Sequence, residues 1–462
     1  MSQHLAFRAV ARTVLFLSIS LWLAPGRLAQ TQRAAPATND PSLIAAVREA
    51  AHPLTGGESD HDPLLEMIGN ARFVMLGEAT HGTHEFYRER ARITRRLVEE
   101  KGFDAVVVEA EWPDAARVGR YVTGAGEDAT PEKALSNFKD FPRWMWRNKD
   151  VRDFVAWMRQ HNDAHTDKRV RFYGMDLYSL RESTEAVVKH LREADPEAAR
   201  HARKRYDCLA YWRAEPQRYG YEVEVAKNTR SCERQAREQF AEMTRIYEER
   251  RRGASGADDE LFSAYQNARV VQNGETYFRT LFRRDISSWN VRDRHMADTL
   301  DALAAHLDTV TGSRSKIVVW AHNTHQGDAR MTERVERGEL SVGQLMRQRH
   351  PAETVLVGFT TYTGHVRAAS EWGGADERKR VRPALAGSYS ALFHETGVPN
   401  FLLRLRGGGR ITEALSLYRL ERAIGVVYVP HTERTSHYFF ARLARQFDAV
   451  IHFDTTTAVE PL

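Results

Sequence analysis

Residues Arg72 to Glu89 read RFVMLGEATHGTHEFYRE, and this stretch decides the fold class. Phe73 to Leu76 is an unbroken apolar run, short enough for a strand covered on both faces. It stops at Gly77 and Glu78, and a helical periodicity begins after Thr80, Gly82 and Thr83. The pattern predicts a strand over Arg72–Gly77, a tight polar turn, and a helix over Thr83–Glu100 that stops before Gly102. Open α/β sheets keep their chemistry at such turns, because the carboxyl end of the strand faces a crevice. This turn carries Glu78, His81, His84 and Glu85 within eight positions. A carboxylate beside an imidazole moves protons near neutral pH. A turn that merely starts a helix needs only a cap.

Outward from the turn, Phe86, Arg90, Ile93 and Leu97 share one helix face. Arg90 therefore lies on the core-facing stripe, where a guanidinium needs a carboxylate partner or a polar cavity. Further apolar runs predict strands. Ala105–Val108 leads to Glu109 and Glu111, and Val170–Gly174 leads to Met175 and Asp176. Lys316–Ala321 ends at His322, Asn323, Thr324 and His325, and Thr354–Phe359 ends at Thr360 and Thr361. Phe401–Leu405, Ile424–Val429 and Ala449–Phe453 are short apolar runs, and Glu371–Arg380 reads as a charged, Gly-rich loop. From Arg181 to Thr299 no strand pattern occurs, and Ala, Glu, Arg and Gln predict several helices. The fold class is α/β, a mostly parallel sheet flanked by helices with an inserted helical bundle. The expected divisions are 43–180 for the first half of the sheet domain, 181–299 for the insertion and 300–462 for the second half.

In a parallel sheet the strand ends Glu78, Glu109, Asp176 and His322 share one rim. His81 hangs just beyond the first strand, and Arg90 returns from the helix toward the same side. Such a set activates water and stabilises an oxyanion, although strand ends that simply meet solvent are polar too. Other chemistries lack their motifs. There is no GxSxG elbow, no GxxxxGK[ST] loop and no GxGxxG after a strand. The glycine clusters at Trp372–Gly374 and Arg406–Gly409 lack the strand-to-helix context of a phosphate site. His81, His84 and Glu85 with Glu78 also admit a divalent metal, but their spacing is neither HExxH nor HxxEH. Phe141, Trp144 and Trp146 form an aromatic cluster suited to core or pocket wall.

The 462 residues are 42% hydrophobic and 28% charged, as in a soluble globular protein. Lys+Arg 67 against Asp+Glu 62 leaves +5, too small and too interleaved an excess for a nucleic-acid partner. Arg8 and Arg12 precede the apolar run Thr13–Ala24, the layout of a secretory signal. Residues 1–26 are expected to be that signal and 27–42 a linker. The protein is then exported, periplasmic or secreted, with no stable membrane anchor after cleavage. An uncleaved N-terminal anchor is the alternative. The expected oligomeric state is a monomer. Cys208 and Cys232 are the two cysteines, and sequence leaves their pairing open.

GEATHG at Gly77–Gly82 resembles the signature of the erythromycin esterase family. FPRWMWRN (Phe141–Asn148), YGMDLYSL (Tyr173–Leu180) and RDRHMADTL (Arg292–Leu300) resemble further family blocks. So do VVWAHNTHQGD (Val318–Asp328), SVGQLM (Ser341–Met346) and TSHYFFARLARQFDAVIHFD (Thr435–Asp454). The resemblance implies a helical bundle forming one wall of an active-site cleft. It also implies hydrolysis of a macrolide-like lactone ester without a covalent intermediate, a cofactor or a metal. By resemblance His81 activates water, Glu78 and Glu109 position it, Arg90 fixes the carboxylates, and His322 serves the oxyanion or leaving group. Trp112, Asp176, His325 and Trp372 are the candidate substrate contacts. A metal-dependent hydrolase of another ester and a non-catalytic ligand- or metal-binding protein on a related fold remain the alternatives.

Overall fold

The computed structural model describes residues 39–462 except 213–214, 254–257 and 284, so the expected signal segment lies outside the described residues. Its strands are β1 (His52–Pro53), β2 (Phe73–Leu76), β3 (Ala105–Glu111), β4 (Arg171–Asp176), β5 (Ile317–Trp320) and β6 (Thr354–Ala369). β7 (Asp376–Val381), β8 (Asn400–Arg404), β9 (Arg419–Arg422), β10 (Tyr438–Ala441) and β11 (Ala449–Thr456) follow. The helices include α1 (His84–Lys101), α2 (Trp112–Thr123), α3 (Lys149–Ala164), α4 (Leu180–Ala194) and α5 (Pro196–Tyr206). They also include α6 (Pro216–Glu224), α7 (Glu233–Arg252), α8 (Asp259–Thr280) and α9 (Ser287–Thr311). The chain divides into two compact units, one of Val107–Glu127 and Arg171–Ser315, the other of 39–106, 128–170 and 316–462.

In the second of these, β1, β8, β11, β6, β2 and β5 lie side by side in that order. β2 runs parallel to both β5 and β6, with Leu76 opposite Trp320 and Val357. β11 is parallel to β6, while β8 and β1 complete the edge antiparallel. Every residue of β2 and β5 is buried, which is why both read as unbroken apolar runs. β6 continues ten residues past the expected Phe359, through Thr360, Thr361 and Arg367, and its far half pairs with β7. The expected loop Glu371–Arg380 is therefore partly strand. The charges of β7 suit an edge that discourages pairing with other chains. Ile424–Val429 is not a strand. Instead β9 and β10 form a separate antiparallel ribbon, and Ile424 makes a single bridge to Thr80.

In the other unit, β3 from Val107 onward neighbours β4. α2 packs on β4 so closely that a Cβ at Gly119 would lie 2.5 Å from the Phe172 carbonyl oxygen. α4 to α9 make up the rest, so the stretch expected to be helical is helical. The end of β3, α2 and β4 cluster with these helices, and the compact divisions thus fall elsewhere than at 180/181. Val118, Phe172, Val187, Phe262, Val271 and Leu300 are buried in this unit. Cys208 and Cys232 are joined in a disulfide with a Cα–Cα distance of 5.9 Å.

Candidate active site

Glu78 stands two residues beyond β2 with its side chain fully buried. One carboxylate oxygen, Oε1, lies 2.8 Å from His81 Nδ1, and the other accepts a 2.7 Å bond from Arg90 Nη2. An ionised carboxylate only accepts, so Nδ1 of His81 carries the hydrogen and Nε2 is left as the acceptor. Arg90 thereby has, in Glu78, the carboxylate partner that its place on the helix stripe demanded. Its guanidinium carbon sits 4.4 Å from the Tyr87 ring centre and 5.0 Å from that of Trp320, which replaces lost hydration with cation–π attraction. Glu78 is thus fixed from both sides, by a buried cation and by the imidazole that it orients.

The turn holds its shape through close backbone approaches. A Cβ at Gly77 would fall 2.2 Å from Asn323 Oδ1, and one at Gly82 would fall 2.0 Å from the Arg367 carbonyl oxygen. Those approaches exclude any side chain at either glycine. His81 N donates to Ile424 O at 3.3 Å, Ile424 N donates to Ala79 O at 2.8 Å, and Tyr87 Oη donates to His81 O at 2.9 Å.

His322 follows β5 as Glu78 follows β2, and the register of these parallel neighbours brings the two strand ends together. The His81 and His322 ring centres are 4.8 Å apart. His322 Nδ1 lies 2.9 Å from Thr324 Oγ1, and Asn323 N donates to Glu78 O at 2.8 Å. Asn323 also uses its side-chain amide on both backbone groups of Phe359, locking the loop after β5 to β6. His325 is buried behind this loop, with its backbone N–H bonded to His322 O. His84 and Glu85 face other partners. His84 Nδ1 pairs with Asp150 Oδ1 at 2.7 Å, a bond that raises its pKa, and Glu85 binds Thr457. Among the described residues no three His, Cys, Asp or Glu side chains are disposed to hold a metal.

In the helix-rich unit, Glu109 of β3 and Asp176 of β4 meet on one guanidinium. Arg292 Nη2 donates to Glu109 Oε1 at 2.7 Å and to Asp176 Oδ2 at 2.5 Å, and its Nε donates to Asp176 Oδ1 at 3.0 Å. Burial alone would weaken the charge of Arg292, but Asp176 and Glu109 outweigh it and raise its pKa further. Glu111 accepts from Ser179 N at 2.9 Å, and burial and then the charge of Asp176 hold its proton well above the usual carboxyl range. Sequence reasoning missed Arg292 as a site residue, and the sole signal was its place in RDRHMADTL. Trp112 is 2% exposed, stacked on Tyr173 at 5.6 Å and donating Nε1 to Ser263 Oγ at 3.2 Å. Trp144 and Trp146 are likewise buried. Trp372 is 38% exposed and edge-on to Phe141, with surface left for a ligand.

Known proteins share this architecture. The sequence profile of the erythromycin esterase family matches residues 98–456, beginning beyond the Gly77–Gly82 turn. Erythromycin esterase type II of Escherichia coli is 24% identical over 426 residues, 87% of this chain and 93% of that one. YbfO of Bacillus subtilis (strain 168), whose name carries the word hydrolase, is 22% identical over 76% of this chain and 79% of its own. Among solved structures, a Bacillus cereus protein superposes with a TM-score of 0.74 at 21% identity, covering 92% of this chain and 99% of that one. A mutant of the erythromycin esterase EreC in its open conformation gives 0.61 at 18% identity, covering 86% and 93%.

Proposed function

The chain belongs to the erythromycin esterase family, whose members are hydrolases, and on that premise we propose that it cleaves a carboxylic ester with water activated by His81. The observation that supports this reading is the buried Arg90–Glu78–His81 relay, 2.7 Å and 2.8 Å long, which presents Nε2 of one imidazole tautomer as the base. In this reading Nε2 takes a proton from water as the water oxygen bonds to the ester carbonyl carbon. Glu78 stabilises the imidazolium that forms, without taking its proton. His322, one ring away, serves the oxyanion or protonates the departing alkoxide as the acyl–oxygen bond breaks. The products are a carboxylic acid and an alcohol, and no bond to the protein forms. Glu109, whose carboxylate accepts from Arg292, is by family resemblance a further catalytic acid.

The substrate class we propose is a macrolide-like lactone, supported by the name of the Escherichia coli relative. We also propose export, supported by Arg8, Arg12 and the apolar run Thr13–Ala24, and by a disulfide of the kind that persists in oxidising compartments.

A positioned general base contributes about 10²–10⁴ in rate. His81→Ala is expected to lose kcat by that factor while its circular dichroism and thermal midpoint match the parent protein. Mass spectrometry of a macrolide panel, read for the gain of one water, checks both substrate and variant. Wild-type turnover in folded His81→Ala would overturn the mechanism, and no hydrolysis of any ester by the parent protein would overturn the function.

A further inference from the structure

We propose that Glu85 is a positioning residue for His81, and that the segment 457–459, which it grips, completes the catalytic turn. This inference rests on the reading of His81 as the base. Glu85 is the second residue of α1, four positions after His81, yet its buried carboxylate does not serve the helix. Both oxygens are committed to one residue 372 positions away. Thr457 N donates to Oε2 and Thr457 Oγ1 to Oε1, each at 2.8 Å.

The grip is the centre of a longer seam. Thr457 O accepts from His84 N at 2.9 Å, Thr83 and Ala458 form an antiparallel bridge, and Val459 N donates to Gly82 O at 3.0 Å. Gly82 O accepts a second 3.0 Å bond from Arg367 N, and Arg367 Nε donates to Val459 O at 3.3 Å, which ties β6 into the same seam. Beyond it the chain is anchored again at the start of α3. Lys149 N donates to Glu460 O at 2.9 Å and Leu462 N donates to Arg147 O at 3.0 Å. Residues 82–85 are therefore held along 457–459 rather than by helix capping, since the N-cap residue Thr83 makes no side-chain cap bond.

The physical need for such a seam follows from Gly82. It adjoins the base, and without a side chain its backbone is freer than that of any other residue type. Its neighbours must remove that freedom if the His81 ring is to stay within reach of Glu78. On the other side the His81 backbone is held by the 3.3 Å bond from its N–H to Ile424 O and by the Tyr87 hydroxyl. A charged acceptor bound by two donors is stronger than two neutral bonds, which suits Glu85 to this task.

The test compares Glu85→Ala, Glu85→Gln and Thr457→Val in the full chain. Glu85→Ala removes both acceptors. Glu85→Gln keeps an acceptor for Thr457 N and offers a donor to the rotatable Thr457 hydroxyl. Thr457→Val removes one donor. Glu85→Ala is expected to lose kcat by about 10- to 100-fold, the scale of a 1 Å misplacement, with KM within about twofold. Thr457→Val should lose less, and Glu85→Gln should restore most of the rate.

Two readouts need no substrate. The ¹⁵N imidazole signals of His81 should change from one tautomer to a mixture in Glu85→Ala. Hydrogen exchange at the amides of His84 and Val459 should accelerate. Folded Glu85→Ala with a parental His81 signal, parental exchange and parental kcat would overturn the proposal. Should Glu85→Ala fail to fold, Thr457→Val with all three readouts unchanged would overturn it equally. A parent protein that cleaves no ester, but whose His81 signal responds to Glu85→Ala as stated, would sink the function and leave the positioning role intact.

Discussion

Arg90 is the residue on which the electrostatics of the turn hinge. Its side chain and that of Glu78 are both fully buried, so each is the other's main compensation for lost hydration. Removing one partner strands the other. Arg90→Met is therefore expected to destabilise the protein by about 3–5 kcal/mol, the usual cost of an uncompensated buried charge. Adding Glu78→Gln should recover much of that loss, because the stranded carboxylate is gone. Urea denaturation of the two single variants and the double variant checks this, and simple additivity of the two single effects would refute the coupling. Arg90 was legible in the sequence, since a guanidinium on an apolar helix stripe announces a hidden partner. Arg292 was not. Its partners lie 116 and 183 positions away, and no local periodicity marks a contact of that range. The ring contacts of Trp112 with Tyr173 and Phe262 were not legible either, because an aromatic just after a strand reads alike whatever it faces.

At the scale of the element, the strands that read most plainly in the sequence are those covered on both faces. β2 and β5 are unbroken apolar runs because no face of either meets water. β7 and β9 escaped notice because their residues carry charge. β9 reads Arg-Leu-Glu-Arg, a pattern that predicts solvent, yet all four residues are buried. Its Glu421 forms no well-made hydrogen bond among the described residues. Burial pushes its carboxyl up to about 7 from 4.5, and the Gln446 amide and the Arg334 charge oppose that only in part. In the unfolded chain Glu421 ionises near 4.5, while in the folded chain it keeps its proton to about 7. Stability therefore falls as pH rises through that window, and the loss is complete above it. Glu421→Gln cannot ionise. It is expected to gain stability over the parent between pH 4 and pH 8 by on the order of 3 kcal/mol. Equal effects of the substitution at both pH values, measured by urea denaturation, would contradict this account.

For the whole molecule, sequence patterns place strands and helices but not the borders of compact units. The runs that became β3 and β4 look like the run that became β2, yet they cluster with α4–α9, because compactness is set by contacts far apart in the chain. The disulfide is a feature of that helix-rich unit. It joins Cys208 to Cys232 across 24 positions, bridging the residues after α5 to the start of α7 with α6 between. In the chain-entropy picture a closed loop of that length restricts the unfolded state by about 3 kcal/mol. The same unit carries His295, whose pKa is lowered to about 3, first by burial and then by Arg269. Its unfolded counterpart binds a proton near 6.5, so stability is lost as pH falls from there toward 3. Cys208→Ser/Cys232→Ser is thus expected to lower unfolding free energy by about 3 kcal/mol at pH 7.5. Acidification to pH 5 should lower it further through His295. Hydrogen exchange localises the effect. Amides of α6 and α7 should lose protection in the double variant, while those of α1, in the other unit, keep theirs. Equal deprotection of α1 would mean that the cross-link acts on the whole chain rather than on the unit that contains it.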